Sequence, residues 1–267
     1  MKLKQNKFFI FIFSFVLLAG LTLPTQASAE TKQNVQLVYS KTMSKDNHIF
    51  AYGYVQTLPS EGGSVELHYQ VGDNVWKDTN ATYVGVKDNA YGLWYFEIDG
   101  GQDPMSDYSK SGKNFRFAVK YTTSSGQVYW DNNNGNEFKV SGGYSANFGR
   151  YVLGSSNLVL ANTNSWTSDN TYFTGQIALK NSDYNKVVKV RYSCDNWVTY
   201  KETSAIYQFS EPNDVEIWSF RGEGPANAKD FKFAISYTVN GQTYWDNNFN
   251  SNYMVNVSES LNNPGVR

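Results

Sequence analysis

From about Val35 onward, apolar and polar residues alternate in short runs. Clusters of Gly, Asn, Asp, Pro and Ser break the runs about every 8 to 12 residues, the spacing of strands joined by turns. A period of two sends successive side chains to opposite faces of an extended strand, so each run predicts a half-buried β-strand. No helical period of useful length intervenes. The predicted strands form two series. The first holds Val35–Tyr39, Ile49–Gln56, Val65–Val71, Leu93–Ile98, Phe115–Thr122, Gln127–Trp130 and Phe138–Val140; the second holds Leu158–Ala161, Tyr172–Leu179, Val187–Ser193, Val215–Phe220, Phe231–Thr238, Gln242–Trp245 and Tyr253–Val257. Antiparallel strands in this arrangement pack as all-β sandwiches, two of them here.

The series repeat each other in sequence as well as in pattern. Val65-Glu66-Leu67-His68-Tyr69 answers Val188-Lys189-Val190-Arg191-Tyr192, and Leu93-Trp94-Tyr95-Phe96 answers Ile217-Trp218-Ser219-Phe220. Phe115-Arg116-Phe117-Ala118 answers Phe231-Lys232-Phe233-Ala234, and each leads to a Tyr-Trp-Asp-Asn-Asn pentapeptide, at 129–133 and at 244–248. On the strand face shared by Phe231, Phe233, Ile235 and Tyr237, and on its counterpart Phe115, Phe117, Val119 and Tyr121, the side chains are core. Trp94 and Trp218, inside strands, are assigned to the core too. Trp76 and Trp197 follow strand ends after an Asp-Asn pair and are placed to line a surface. Domain boundaries follow: a signal peptide at 1–29, units at 30–141 and 152–258, a linker at 142–151 with a flexible Gly-rich start, and a tail at 259–267.

The signal peptide rests on Lys2, Lys4 and Lys7 ahead of the apolar run Phe8 to Leu23, then Pro24 and the small-residue site Ala27-Ser28-Ala29. The run is shorter than the ~20 residues that span a bilayer, so the mature chain is expected to be secreted and extracellular. The formal net charge is −1, and removal of the three lysines makes the mature chain more acidic. That disfavours a nucleic-acid or anionic-membrane partner, which needs a basic face. Cys194 is the single cysteine, so no internal disulfide forms; it reads as a half-buried small apolar residue.

Aromatic residues make up 16% of the chain, and Asn is abundant beside Trp in turns. An indole lies against the C–H face of a pyranose, and an Asn amide offers a donor and an acceptor to neighbouring hydroxyls, which suits a sugar chain. The same residues also suit a Trp plugging the end of a sandwich with Asn in its turns. Glycoside hydrolysis needs two carboxylates ~5 to 9.5 Å apart; Asp131 and Asp246 stand one per unit, so no enzyme activity is expected. Asp131-Asn132-Asn133-Asn134-Gly135 has oxygen ligands, but its Gly comes too early for an EF-hand loop, and no metal or cofactor is expected.

The ordered combination of residues 188–197, 231–237 and Asn240-Gly241-Gln242-Thr243-Tyr244-Trp245-Asp246-Asn247-Asn248 with Asn252-Tyr253 resembles the family 21 carbohydrate-binding modules. These are the starch- and glycogen-binding domains of fungal glucoamylases and of glycogen-targeting subunits of protein phosphatase 1. The second unit is similar nearly end to end, the first over Val65–Trp76 and Phe115–Val140. The resemblance implies two immunoglobulin-like antiparallel β-sandwiches in tandem that bind an α-glucan polysaccharide. It implies a first site of Trp197 and Trp245 with Asn247 and Asn252, and a second of Tyr184 and Tyr207. Lys232 stands where a third aromatic of the first site is expected. In the N-terminal unit the matching residues are Trp76, Trp130 and Asn132; Glu137-Phe138 replaces the Asn-Tyr pair, and Glu61 or its neighbours stand in place of Tyr184. A phosphatase partner needs a basic-hydrophobic motif ending in Phe and a cytosolic location. Lys189-Val190-Arg191-Tyr192 lacks the Phe, so no phosphatase partner is expected, and the chain is expected to be a monomer. The alternative is a secreted adhesin recognising another glycan or a protein receptor.

Overall fold

The computed structural model describes residues 33–257, apart from 59–61, 88–89, 103–112, 144 and 168–170. The segment expected as a signal peptide, the position of Glu61 and the expected tail at 259–267 lie outside the described residues. The first series of strands is β1 (Val35–Lys45), β2 (His48–Thr57), β3 (Ser64–Val71), β4 (Lys77–Asn80), β5 (Thr82–Lys87), β6 (Tyr91–Gln102), β7 (Asn114–Thr122), β8 (Val128–Asp131) and β9 (Phe138–Ser141). After β10 (Tyr151–Val152) the second is β11 (Leu158–Thr167), β12 (Thr171–Lys180), β13 (Lys186–Ser193), β14 (Lys201–Ser204), β15 (Ile206–Glu211), β16 (Val215–Gly224), β17 (Asp230–Val239), β18 (Gln242–Asp246) and β19 (Tyr253–Asn256). No α-helix occurs among the described residues.

In the first series one sheet runs β1-β2-β6-β5 and the other β4-β3-β7-β8, with β9 also on β7; β10 pairs β1. The second series repeats the order as β11-β12-β16-β15 and β14-β13-β17-β18, with β19 on β17. Even the irregularities recur. A register shift falls at Leu37/Tyr39 and again at Leu160/Asn162, another at Tyr83/Gly85 and again at Tyr207/Phe209.

Each series encloses its own core between its two sheets. Phe115, Phe117, Val119 and Tyr121 of β7 are fully buried with Leu37, Val55, Leu67 and Phe96, as are Phe231, Phe233, Ile235 and Tyr237 of β17 with Phe173, Ile177 and Val190. Trp94 is buried, its Nε1 donating to Thr57 Oγ1 at 3.0 Å. Trp218 is only half-buried, so its assignment to the core holds in part: it packs against the second core and donates to Glu216 Oε2 at 2.9 Å. Cys194 is half-buried against the same core, and burial pushes its thiol pKa up.

Four strands escape the alternation test. In β4, β5, β14 and β15 nearly every side chain is exposed or half-exposed, so neither face carries an apolar stripe. They are edge strands held by backbone pairing to β3, β6, β13 and β16.

The segment expected as a linker is bonded into the first unit instead. Ser141 N donates to Gly149 O, β10 pairs Ser40 and Lys41, and Ser155 and Ser156 donate to Leu37 O and Val38 O. Gly154 permits this approach, since a Cβ there would lie 2.0 Å from Leu37 O. The units then pack directly. Tyr151 and Leu153 join Val159, Ala178, Val215 and Ile217 in a third apolar cluster, with Tyr39 and Ala161 at its margin. Arg150 pairs with Glu211, and Asn213 Nδ2 donates to Lys139 O and Tyr151 O.

Inside this seam the Lys41 ammonium donates to Leu160 O at 2.7 Å and lies 5.5 Å from the Tyr52 ring centroid. Burial lowers its pKa from 10.5 to about 8, against the pull of the Asp246 carboxylate. The folded state therefore holds this proton less tightly than the unfolded chain, and unfolding takes one up between about pH 8 and 10.5. Stability from this group rises with pH across that window. The thermal midpoint of the wild type should climb relative to that of Lys41→Met between about pH 8 and 10.5; parallel profiles would show that the ammonium is not desolvated.

Candidate carbohydrate-binding faces

In the β14-β13-β17-β18 sheet, Val188, Val190 and Tyr192 point to the core, which sends Lys189 and Arg191 outward. Trp245 of β18, 48% exposed, lies on this outer face opposite Ser236 of β17. The Arg191 guanidinium sits 5.2 Å from the Trp245 ring centroid and 4.8 Å from that of Tyr200. Its Nε and Nη2 both donate to Glu202 Oε1, at 2.9 and 2.8 Å. Two aromatic rings thus flank a fixed guanidinium, each free to take a ligand on its open face. Tyr200, 60% exposed, was not among the residues singled out in the sequence; the signal lay in its position immediately before an edge strand that shows no alternation.

Trp197 is set by a tight turn after β13. Asn196 and Trp197 both adopt left-handed φ, 56° and 70°, where a bulky residue needs support. Ser193 Oγ supplies it by accepting from Asp195 N at 3.2 Å and Trp197 N at 2.8 Å. The Asp195 carboxylate accepts from Thr199 N and Thr199 Oγ1, and these bonds hold its pKa below the usual range. Lys232, in place of the expected aromatic, donates to Asn196 Oδ1 at 2.5 Å and ties the turn to the sheet.

The loop after Trp245 shows what its Asp does. Asp246 Oδ2 accepts from Leu160 N at 2.9 Å, Tyr253 OH lies 2.8 Å from both carboxylate oxygens, and Asn248 N donates to Oδ1 at 3.2 Å. Burial raises the carboxyl pKa, and these hydrogen bonds oppose the rise. Asp246 is a strap between the two sheets at the β11 bulge. Asn247 and Asn252 meet across the loop through Asn252 N to Asn247 O at 2.7 Å. The Asn247 amide exchanges two bonds with Asn250, at 3.0 and 3.2 Å, and both residues stay partly open to solvent. Trp245, Asn247 and Asn252 therefore share one strand and its loop.

Tyr184, 94% exposed, tips the loop between β12 and β13, and Tyr207, half exposed, lies on β15. A chain of contacts leads to Tyr207 from Lys186, two residues beyond Tyr184. Lys186 pairs with Glu216 Oε1 at 2.8 Å, Glu216 Oε2 accepts from Trp218, and Tyr207 stands edge-on to Trp218 with centroids 6.1 Å apart.

The N-terminal unit carries a related face. His68 stacks on Trp76 at 4.8 Å and 10°, and meets Trp130 edge-on at 6.3 Å. Its Nδ1 lies 2.7 Å from Asp78 Oδ1. Register equates His68 with Arg191, Asp78 with Glu202 and Lys77 with Lys201. Trp76 therefore corresponds to Tyr200, and its matching with Trp197 is corrected: the turn after β3 is shorter, and no Trp occupies the Trp197 position. Register also equates Tyr83, edge-on to Trp94 at 5.2 Å, with Tyr207, a residue the sequence reading passed over. Asp131 Oδ2 accepts from Leu37 N at 2.7 Å, as Asp246 does from Leu160. Asn132 follows it as Asn247 follows Asp246. Glu137 takes the place of Asn252 with the same φ of 58°, while buried Phe138 replaces Tyr253 and its hydroxyl.

Comparison with known proteins bears on the second unit. Residues 153–256 match the carbohydrate/starch-binding module, family 21. Glucoamylase 1 of Rhizopus oryzae is 38% identical over 101 residues, which cover 36% of this chain and 16% of that protein. Protein phosphatase 1 regulatory subunit 3C of Rattus norvegicus is 33% identical over 87 residues, covering 31% of this chain and 27% of its own length. The chain thus spans about a quarter or less of the length of these two relatives. A solved starch-binding domain of Rhizopus oryzae glucoamylase, in complex with β-cyclodextrin and maltoheptaose, is 31% identical, covering 37% of this chain and 92% of its own, with a TM-score of 0.30. Because relatives are named as phosphatase regulatory subunits, the expectation of no phosphatase partner finds no support in the comparisons.

Proposed function

We propose that this protein is a secreted, non-catalytic α-glucan-binding protein built from two immunoglobulin-like sandwiches of one family in tandem. The observation that carries the reading is the Trp245–Arg191–Tyr200 face, with Asn247 and Asn252 on the adjoining loop, in the segment that matches a starch-binding module. Relatives named as a glucoamylase and as a glycogen-binding subunit point to the same ligand class. The tandem assignment draws on the repeated strand order, the repeated bulges and the paired Asp131 and Asp246 straps. The non-catalytic assignment draws on those straps too, since each carboxylate already accepts backbone N–H groups of its own unit. Secretion rests on the N-terminal sequence. A phosphatase-recruiting role is disfavoured by the placement of Lys189-Val190-Arg191-Tyr192 in β13, paired on both sides, with Val190 and Tyr192 buried.

Mature protein should co-sediment with granular starch and leave cellulose and chitin suspensions unchanged. Because the ligand is uncharged, the bound fraction should barely change between low and high salt. Retention on cellulose or chitin alone, or a steep loss with salt, would remove α-glucan as the ligand.

A further inference from the structure

Among the places where the loop that carries Asn247 and Asn252 differs from its repeat, one runs against backbone preference. Asn132-Asn133-Asn134-Gly135-Asn136-Glu137 in the first unit stands against Asn247-Asn248-Phe249-Asn250-Ser251-Asn252 in the second. Left-handed φ recurs at equivalent positions: 52°, 55° and 87° at Asn133, Asn134 and Gly135, and 53°, 53° and 71° at Asn248, Phe249 and Asn250. Asn and Gly adopt that conformation readily, whereas a phenylalanine there is strained. The second unit has placed a large aromatic where the fold least favours one.

The strain is offset by the N-terminal unit. Phe249 packs on Tyr54 of β2 with ring centroids 4.8 Å apart, and Tyr54 is itself wedged between Tyr39 at 5.6 Å and Tyr95 at 5.5 Å. A second tie joins the same loop to the same unit. Leu160 gives its N–H to Asp246 and receives Lys41 on its carbonyl, so one peptide residue connects the base of the loop to the seam. Phe249 lies between Asn247 and Asn250, whose amides fix each other.

We infer that Tyr54 and Phe249 are positioning residues that clasp the Asn247–Asn252 loop, so that the C-terminal glucan site is complete only with the N-terminal unit docked. This rests on the glucan-binding reading above. Pre-organising a loop removes the ordering cost from binding, and the first unit thereby serves its neighbour's site apart from any sugar it binds itself.

The full chain is titrated with maltoheptaose by calorimetry. Tyr54→Ala and Phe249→Asn should each raise Kd about five- to tenfold, while Tyr54→Phe, which keeps the ring, binds as the wild type. Phe249→Asn restores the residue found in the repeat and relieves the strained φ, so it folds even if Tyr54→Ala does not. In an Asn247→Ala background the Tyr54 and Phe249 changes should add little, because both act through that amide. Wild-type affinity in Phe249→Asn, or full additivity with Asn247→Ala, would overturn the clasp. If Asn247→Ala itself binds as the wild type, the glucan site as drawn fails first, which keeps the two failures distinct.

Discussion

Replacing Asp246 by alanine should cost the protein about 3 kcal/mol of stability, the low end of the range for removing one partner of a buried charged network, because the carboxylate is half-buried. The change strands Leu160 N–H at a bulge, the Tyr253 hydroxyl, Asn248 N–H and the nearby Lys41 ammonium at once. Asp131→Ala should cost less, because Phe138 gives that carboxylate no hydroxyl to hold and only Leu37 N and Asn133 N are released. Urea unfolding midpoints of the two variants compare them. Loss of glucan binding by Asp246→Ala at unchanged stability would instead make this carboxylate a sugar ligand.

Trp245→Ala should leave the fold intact and weaken glucan binding by about 2 kcal/mol, roughly thirtyfold in Kd, as loss of a central aromatic anchor does. The ring projects from an edge strand onto an outer face, and its removal opens no core cavity. Arg191 stays fixed by Glu202 in the variant, so the adjoining Tyr200 keeps its place. A variant that melts early while retaining affinity would make Trp245 structural, the alternative that the sequence left open.

Alternation revealed the inner strands because each has one apolar face, and it placed Phe231, Phe233, Ile235 and Tyr237 in the core without help from the structure. It could not reveal β4, β5, β14 and β15, which bury almost nothing and exist through backbone pairing. Tyr83 and Tyr200 were missed with them. Trp76 was matched to the wrong partner because sequence offers no register, and the paired positions of Lys77 and Lys201 supply it. The Asp of the repeated pentapeptide pointed to a ligand site through its neighbours, yet its own carboxylate serves a bulge that lies 86 residues away in sequence from Asp246. The seam was illegible for a related reason: Tyr52 and Tyr54 read as ordinary strand aromatics and Tyr151 fell in the expected linker, and only the packed units show what covers them.

The most direct test follows the indole N–H resonances of the seven tryptophans by NMR while maltoheptaose is added to the full chain, assigning each by single substitution. Saturable shifts are expected at Trp245 and Trp197, with Trp94 unmoved behind its bond to Thr57. Saturation binding that leaves Trp245 and Trp197 unshifted would contradict the proposed glucan-binding face.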